Sequence, residues 1–283
     1  KLFSRDLNQT HRNFYTKDFY KNFTNKVDSF KNFNNVYLLG SSAANNYYSN
    51  MIQFLPRLFF NNKKKIKIGI HRNSSLKLRK FIEQVLHMQG TDHTFIYLDD
   101  NFYSFTNSQF PQFFNLKNSV KILKKFLLPK KDEVINKKIY VTREGASYRK
   151  IVNEADIIPI LRSKGYKVIN PELYEISEQI KIFSQAEKII SPHGSNLTNL
   201  IFCKPGTEIY EIGPKFEDNY EILFKDRYKF LADLNQIRYN RLLCDIVPVS
   251  IHSETAKKYI NNKILSKSNY YKNLVVKVSD IKD

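Results

Sequence analysis

Tryptophan is absent from this 283-residue chain, and cysteine occurs only twice, at Cys203 and Cys244. Two cysteines cannot build a disulfide framework and neither sits at a metal-binding spacing, so both read as packed, reduced thiols. No apolar run approaches the roughly 20 residues of a membrane-spanning helix, and the opening KLFSRDLNQT lacks the apolar core of a signal peptide. The chain starts at Lys1 rather than Met, so that last absence carries little weight. Missing too are a glycine-rich Walker loop, a His/Cys metal cluster and a Gly-x-Ser-x-Gly nucleophile elbow. These gaps argue against P-loop NTPases, metal-built domains and serine hydrolases of the elbow type.

What is present is a basic, foldable chain. Its hydrophobic content of 42% fills a real core. Lys and Arg total 46 against 27 Asp and Glu, a net charge of +19 spread along the sequence. Such an excess favours anionic partners: nucleic acid, membrane headgroups or phosphorylated small molecules. The wealth of Asn, Lys and Ile reads as a compositional bias of the genome. Residues 1 to 35 interleave aromatics with lysines, which fits a docking helix, a membrane-surface segment or an extension packed on the main domain.

From Val36 the pattern alternates. Strands are expected at Val36 to Gly40, Ile66 to Ile70 and Thr94 to Leu98. Helices are expected at 46 to 60, kinked or ended by Pro56, and at 75 to 88, stopped by Gly90. A further helix over 118 to 128 leads to a linker at Pro129 to Glu133. A second set follows: strand Lys138 to Thr142, helix 153 to 164 with Asn153 as N-cap, strand Tyr166 to Ile169, helix 178 to 187 capped by Ser177, and strand Lys188 to Ser191. A short helix over 195 to 202, a strand at Glu208 to Ile212, a basic helix from 253 and a closing strand near 274 to 278 complete it. Two successive α/β units predict two Rossmann-like domains facing a cleft, residues 1–134 and 135–283.

In such sheets ligands bind beyond the carboxyl ends of the strands. That rule selects Arg143, His193 with Gly194, and Glu211 on one sheet edge. The turn Pro192-His193-Gly194-Ser195-Asn196 opens a helix whose free N–H groups suit a phosphate, and Gly194 allows close approach. Ser195, Asn196 and Thr198 add side-chain donors, while Arg143 and Arg149 supply charge-assisted contacts. Glu211 has the wrong charge for phosphate and the right one for ribose hydroxyls.

The stretch from Val141 to Ile212 resembles the core of the family 61 glycosyltransferases, also met as capsular-polysaccharide-biosynthesis-like proteins. The matching residues are Arg143, Arg149, Asn153, Glu154, Glu178, Gln179, His193, Gly194, Leu197, Thr198, Asn199, Pro205, Gly206 and Glu211. NNYYSNMIQFLPRL, residues 45 to 58, matches more faintly through Asn46, Tyr47, Tyr48, Pro56 and Arg57. Ser49 stands where the family usually has histidine, and Gln53 where it usually has an acid. The resemblance implies a GT-B fold and an inverting transfer from a nucleotide sugar, usually a UDP-sugar, to a hydroxyl of a glycan acceptor, with no metal or other cofactor. It places donor-binding residues at Arg143, Arg149, Gly194, Ser195, Asn196, Thr198, Asn199 and Glu211. It places acceptor-side residues at Asn46, Tyr47, Tyr48 and Arg57.

His193 is the candidate catalytic residue, and His71, Asp99 and Asp100 are the other candidates for the general base. Two rivals are a catalytically silent nucleotide-sugar or glycan-binding module, suggested by Ser49 and Gln53, and a nucleic-acid-binding protein, suggested by the charge. The second lacks a recognisable nucleic-acid motif, and the basic surface better suits the donor, an anionic or lipid-linked acceptor, or an anionic leaflet. Asn196-Leu197-Thr198 forms a glycosylation sequon inside the proposed site, which favours the cytoplasm, with peripheral membrane contact.

Overall fold

A computed structural model describes residues 31–40, 46–99, 103–129, 137–146, 148–214, 226–247 and 272–281. The extension before residue 31, the linker beyond Pro129, the basic helix from 253 and Asp100 lie outside the described residues.

Two parallel sheets carry the chain. In the first, strands β2 (Val36–Gly40), β3 (Lys65–His71) and β4 (Asp92–Leu98) lie in the order β2-β3-β4. A separate parallel pair joins β1 (Lys31–Asn34) to β5 (Tyr103–Thr106). The second sheet holds β6 (Lys137–Val141), β7 (Tyr166–Ile169), β8 (Ala186–Pro192), β9 (Glu208–Pro214), β10 (Arg238–Ile246) and β11 (Leu274–Val275) in the order β11-β10-β9-β8-β6-β7. Only β11 runs antiparallel in it. From β6 the chain steps outward to β7 and then returns across to β8. The strand order therefore reverses between β6 and β8, and at such a point the loops diverge and leave a crevice.

The helices follow the expected periodicity with local corrections. α2 (Leu76–Met88) is capped by Ser75, and α3 (Leu116–Leu127) by Asn115. The segment before β3 starts as a short turn, α1 (Tyr47–Ser49), widens into a π-helical stretch (Asn50–Phe54) and tightens into a 3-10 stretch (Leu55–Phe60) at Pro56. α4 (Glu154–Ser163) has Asn153 at its N-cap position, but that carboxamide pairs instead with both backbone groups of Val276. α5 (Ile176–Ser184) begins earlier than expected. Its cap is a reciprocal pair between Glu175 and Glu178, not Ser177, and the chain is already extended at Ala186. Residues Ser195–Phe202 form a 3-10 helix rather than an α-helix. α6 (Arg227–Leu234) and β10 have no counterpart in the sequence reading.

The six-stranded sheet buries both faces, as strands of parallel sheets do. On one face Ile139, Val141, Ile189 and Ile209 share a single apolar cluster with Leu58, Ile68, Leu86, Phe183 and Leu200. That cluster joins both halves of the chain. On the other face Tyr140, Ile190 and Ile212 pack with Ile157, Leu161 and Leu274. Cys203 and Cys244 are both buried and outside any disulfide, as their spacing suggested.

Candidate active site at the switch point of the six-stranded sheet

β6 delivers Thr142 and Arg143 to the crevice, and β8 delivers His193 and Gly194 beside them. The two loops meet closely. A Cβ added to Gly194 would fall 2.0 Å from Nη1 of Arg143, so the glycine makes room for the guanidinium itself. Gly194 has an extended backbone (φ −180°), which any residue adopts, so its role here is space.

Behind these loops lies a layer centred on two buried side chains. His193 is 1% exposed, and its Nδ1 meets Oε1 of Glu211, also 1% exposed. The other carboxylate oxygen accepts from the hydroxyl of Tyr239 on β10, and Tyr239 in turn accepts from Nη2 of Arg241 at 2.9 Å. Register explains the meeting: Ser191, Glu211 and Arg241 lie abreast on β8, β9 and β10. The His193 ring also stands edge-on to Tyr228 of α6, 5.0 Å between centroids, and its backbone N–H donates to Ile212 at 2.7 Å. Burial pushes the imidazole down to about 4, helped by Arg149 and Arg143 and opposed by Glu211. At neutral pH the ring is therefore uncharged, with the Nδ1 proton directed at Glu211.

Arg149 belongs to this inner layer. It is 4% exposed, its guanidinium lies 4.7 Å from the Tyr148 ring centre, and its backbone is left-handed at φ 58°. A non-glycine residue in that region carries strain, which the surrounding contacts hold in place.

In front opens a cleft of about 420 Å³ between the two sheets. Arg143, Ser195 and Asn196 line it from one side and Tyr47, Asn50, Ser75 and Lys77 from the other, with Gln179 and Glu172 at the wall. Lys77 of α2 donates to the carbonyls of Glu172 (2.8 Å) and Tyr174 (2.6 Å), stapling the loop after β7 to the first half. A second staple runs from the Tyr47 hydroxyl to Oδ1 of Asn199 (2.8 Å). From Asn199 it passes to Gln179 (3.2 Å), whose amide donates to Pro171 and Tyr174.

Several expected site residues thus divide or drop out. Tyr47, Arg143, Ser195 and Asn196 reach the cleft, and His193 does not line it. Thr198 and Asn199 are not surface donors. Three residues per turn place them one turn beneath Ser195 and Asn196, where both are fully buried. Glu211 was expected to hold a ribose, but its two oxygens are taken by His193 and Tyr239.

Arg57 is not on the acceptor side either. It is 5% exposed, donates to the carbonyls of Leu39 and Pro111 and covers Phe113 at 4.5 Å. Burial lowers its pKa to about 10. Asn46 is a cap, accepting from Ser49 N–H at 3.0 Å. Tyr48 packs under Arg227 and against Tyr228. His71 accepts from the Asn73 N–H at 3.1 Å, and Asp99 accepts from Tyr103 and pairs with Arg72 at 3.6 Å, so neither lines the cleft.

The sequence reading missed Tyr239 and Tyr228, because β10 and α6 mix charged and apolar residues without a clean period, and missed Lys77 and Glu172. A lysine in the first turn of a helix, where cations are disfavoured, was the available signal for Lys77. No helix among the described residues is long and apolar enough to cross a membrane. No curated protein matches the chain. A family model described as Glycosyltransferase 61 matches residues 35–210, more than half of the chain and both walls of the cleft, and the protein therefore belongs to glycosyltransferase family 61.

Proposed function

We propose that the protein is an inverting glycosyltransferase of GT-B architecture, in which residues 135–283 bind a nucleotide sugar, expected to be a UDP-sugar, and residues 1–134 face a glycan acceptor. The observation that carries this reading is the cleft at the switch point, cationic on its donor side through Arg143 and lined across from it by Tyr47, Asn50 and Ser75. Its volume suits a ligand of nucleotide size.

In this reaction an acceptor hydroxyl oxygen gives up its proton to a base and bonds to the anomeric carbon while the bond from that carbon to the diphosphate oxygen breaks. The electron pair leaves on the phosphate. Arg143 and the first N–H groups of the Ser195–Phe202 helix meet that charge, the task a metal ion performs in other transferases. Arg149 adds field from behind the wall.

His193 acts here as a positioning residue. A neutral imidazole whose proton is committed to Glu211 cannot donate that proton to a phosphate, but it fixes the loop that carries Gly194, Ser195 and Asn196. Tyr47 supports the acceptor side through Asn199. The net charge of +19 suits an anionic or lipid-linked acceptor and peripheral contact with an anionic cytoplasmic leaflet.

The test is calorimetry with nucleoside diphosphates followed by transfer assays across UDP-sugars in EDTA, with the anomeric configuration of the product read by NMR. Binding with EDTA-resistant, inverting transfer is the expected result. No affinity for any nucleoside diphosphate would overturn the reading. Tight binding without turnover would favour a silent nucleotide-sugar-binding module, the reading that Ser49 and Gln53 suggest.

A further inference from the structure

The cleft contains one carboxylate among its described lining residues, Glu172. It follows β7, on the short 3-10 turn Pro171–Leu173, and is placed with some care. Asn170 accepts from its backbone N–H at 3.0 Å, and Lys77 holds its carbonyl. Its carboxylate lies over Gly145, where an added Cβ would fall 2.1 Å from Oε2. Within the described residues that carboxylate has no hydrogen-bond or ion-pair partner, whereas Glu211 has two. Loop 142–146 therefore serves two close approaches: Arg143 reaches Gly194 at one end, and Gly145 gives way to Glu172 at the other.

We infer that Glu172 accepts hydrogen bonds from the ribose hydroxyls of the donor nucleotide, so that the site selects ribonucleotide over deoxyribonucleotide carriers; this rests on the nucleotide-sugar reading above. A carboxylate in the same cleft as Arg143 repels phosphate, and its useful ligand is a pair of hydroxyls. The spacing agrees. β7 and β8 are two strands apart, about 10 Å, so a nucleotide whose phosphates rest at the end of β8 carries its ribose toward the end of β7. In doubly wound sheets an acid beyond the second strand of the unit holds a ribose for the same geometric reason.

The experiment titrates the full chain with UDP, GDP, ADP and CDP, then with the 2′-deoxy form of the tightest binder, in wild type, Glu172→Gln and Gly145→Ala. Hydrogen bonds to a charged group predict that wild type prefers the ribonucleotide by about ten- to hundredfold. Glu172→Gln should weaken the ribonucleotide more than the deoxy form, which keeps only its 3′-hydroxyl, and so close most of the gap. Gly145→Ala, which displaces the carboxylate, should close part of it. Equal affinities for ribo and deoxy forms, or a gap that Glu172→Gln leaves intact, would overturn the inference while leaving nucleotide binding in place. Unchanged affinities with a collapse of transfer would instead make Glu172 the general base, also against the inference. No binding of any of the four nucleotides would remove both readings.

Discussion

The buried layer behind the sheet edge and the cleft wall in front of it each place an arginine near a glutamate, Arg149 with Glu211 and Arg143 with Glu172. Their surroundings separate them. Glu211 is committed to His193 and Tyr239, and Arg149 is 4% exposed, so the inner charges face other protein groups. Arg143 and Glu172 sit in loops beside glycines and face a cleft of about 420 Å³. Residue type thus says little about role here. A buried carboxylate with both oxygens partnered, as in Glu211, fixes positions, because removing one partner strands the other. At the wall, Arg143 donates to the Tyr148 carbonyl at 3.2 Å and also lines the cleft.

That contrast is broken most severely at Glu211. Glu211→Ala should lower unfolding stability by about 3–5 kcal/mol, since His193 and the Tyr239 hydroxyl lose a buried partner. Glu172→Ala, at an exposed position, should stay within about 0.5 kcal/mol of wild type. Urea denaturation monitored by circular dichroism measures both, and similar losses would erase the distinction between the layers.

The next effect is a dependence on pH that originates in the inner layer alone. The unfolded chain protonates His193 near pH 6.5, the folded chain only near pH 4. Between these values the unfolded state binds more protons, so stability falls as pH drops through the window and gains nothing further above pH 6.5. The loss is on the order of 3 kcal/mol across it. His193→Asn should flatten that part of the stability profile relative to wild type, measured by denaturation at pH 4.5 to 7.5. An unchanged slope would show that His193 is not held neutral by burial.

How far the sequence reaches differs between the two layers. Parallel strands rich in Ile and Val were legible, as was the rule that their carboxyl ends share an edge, and this placed Arg143, His193 and Glu211 together. What those residues face was not legible. Tyr239 comes from β10, whose sequence RYNRLLCDI shows no clean alternation, and only strand register brings it to Glu211. Arg57 and Asn46 carry the look of ligand-binding residues, yet Arg57 donates both terminal nitrogens to backbone carbonyls and Asn46 accepts from a backbone N–H. The start of α5 was misplaced because Glu175 caps it, a residue outside the usual Ser, Thr, Asp and Asn signal, although Glu178 three positions on completes the box.

At the wall, Arg143→Ala should weaken nucleotide binding about ten- to hundredfold through loss of charge-assisted bonds to the diphosphate, while changing stability little. Gly194→Ala sharpens the point. The backbone there accepts alanine, so the fold should persist, but the new methyl must push the guanidinium aside. Its affinity should fall between wild type and Arg143→Ala in the same calorimetric titration. A wild-type affinity in Gly194→Ala would mean that the observed packing of Arg143 on Gly194 is irrelevant to binding.

The smallest effect belongs to Tyr47, which reaches the cleft yet is tied to the buried layer. Burial raises its phenol pKa, so the hydroxyl stays a donor throughout the physiological range. Its bond to Oδ1 of Asn199 sets that amide's orientation and leaves Nδ2 to donate to Gln179, which in turn holds the carbonyls of Pro171 and Tyr174. Tyr47→Phe removes one hydroxyl from the head of this chain and should cost about 0.5–1.5 kcal/mol. Because the same chain positions the loop that carries Glu172, the substitution should also reduce the preference for ribonucleotide over its deoxy form. A stability loss without that change would make the Tyr47 bond a staple between the two halves and nothing more.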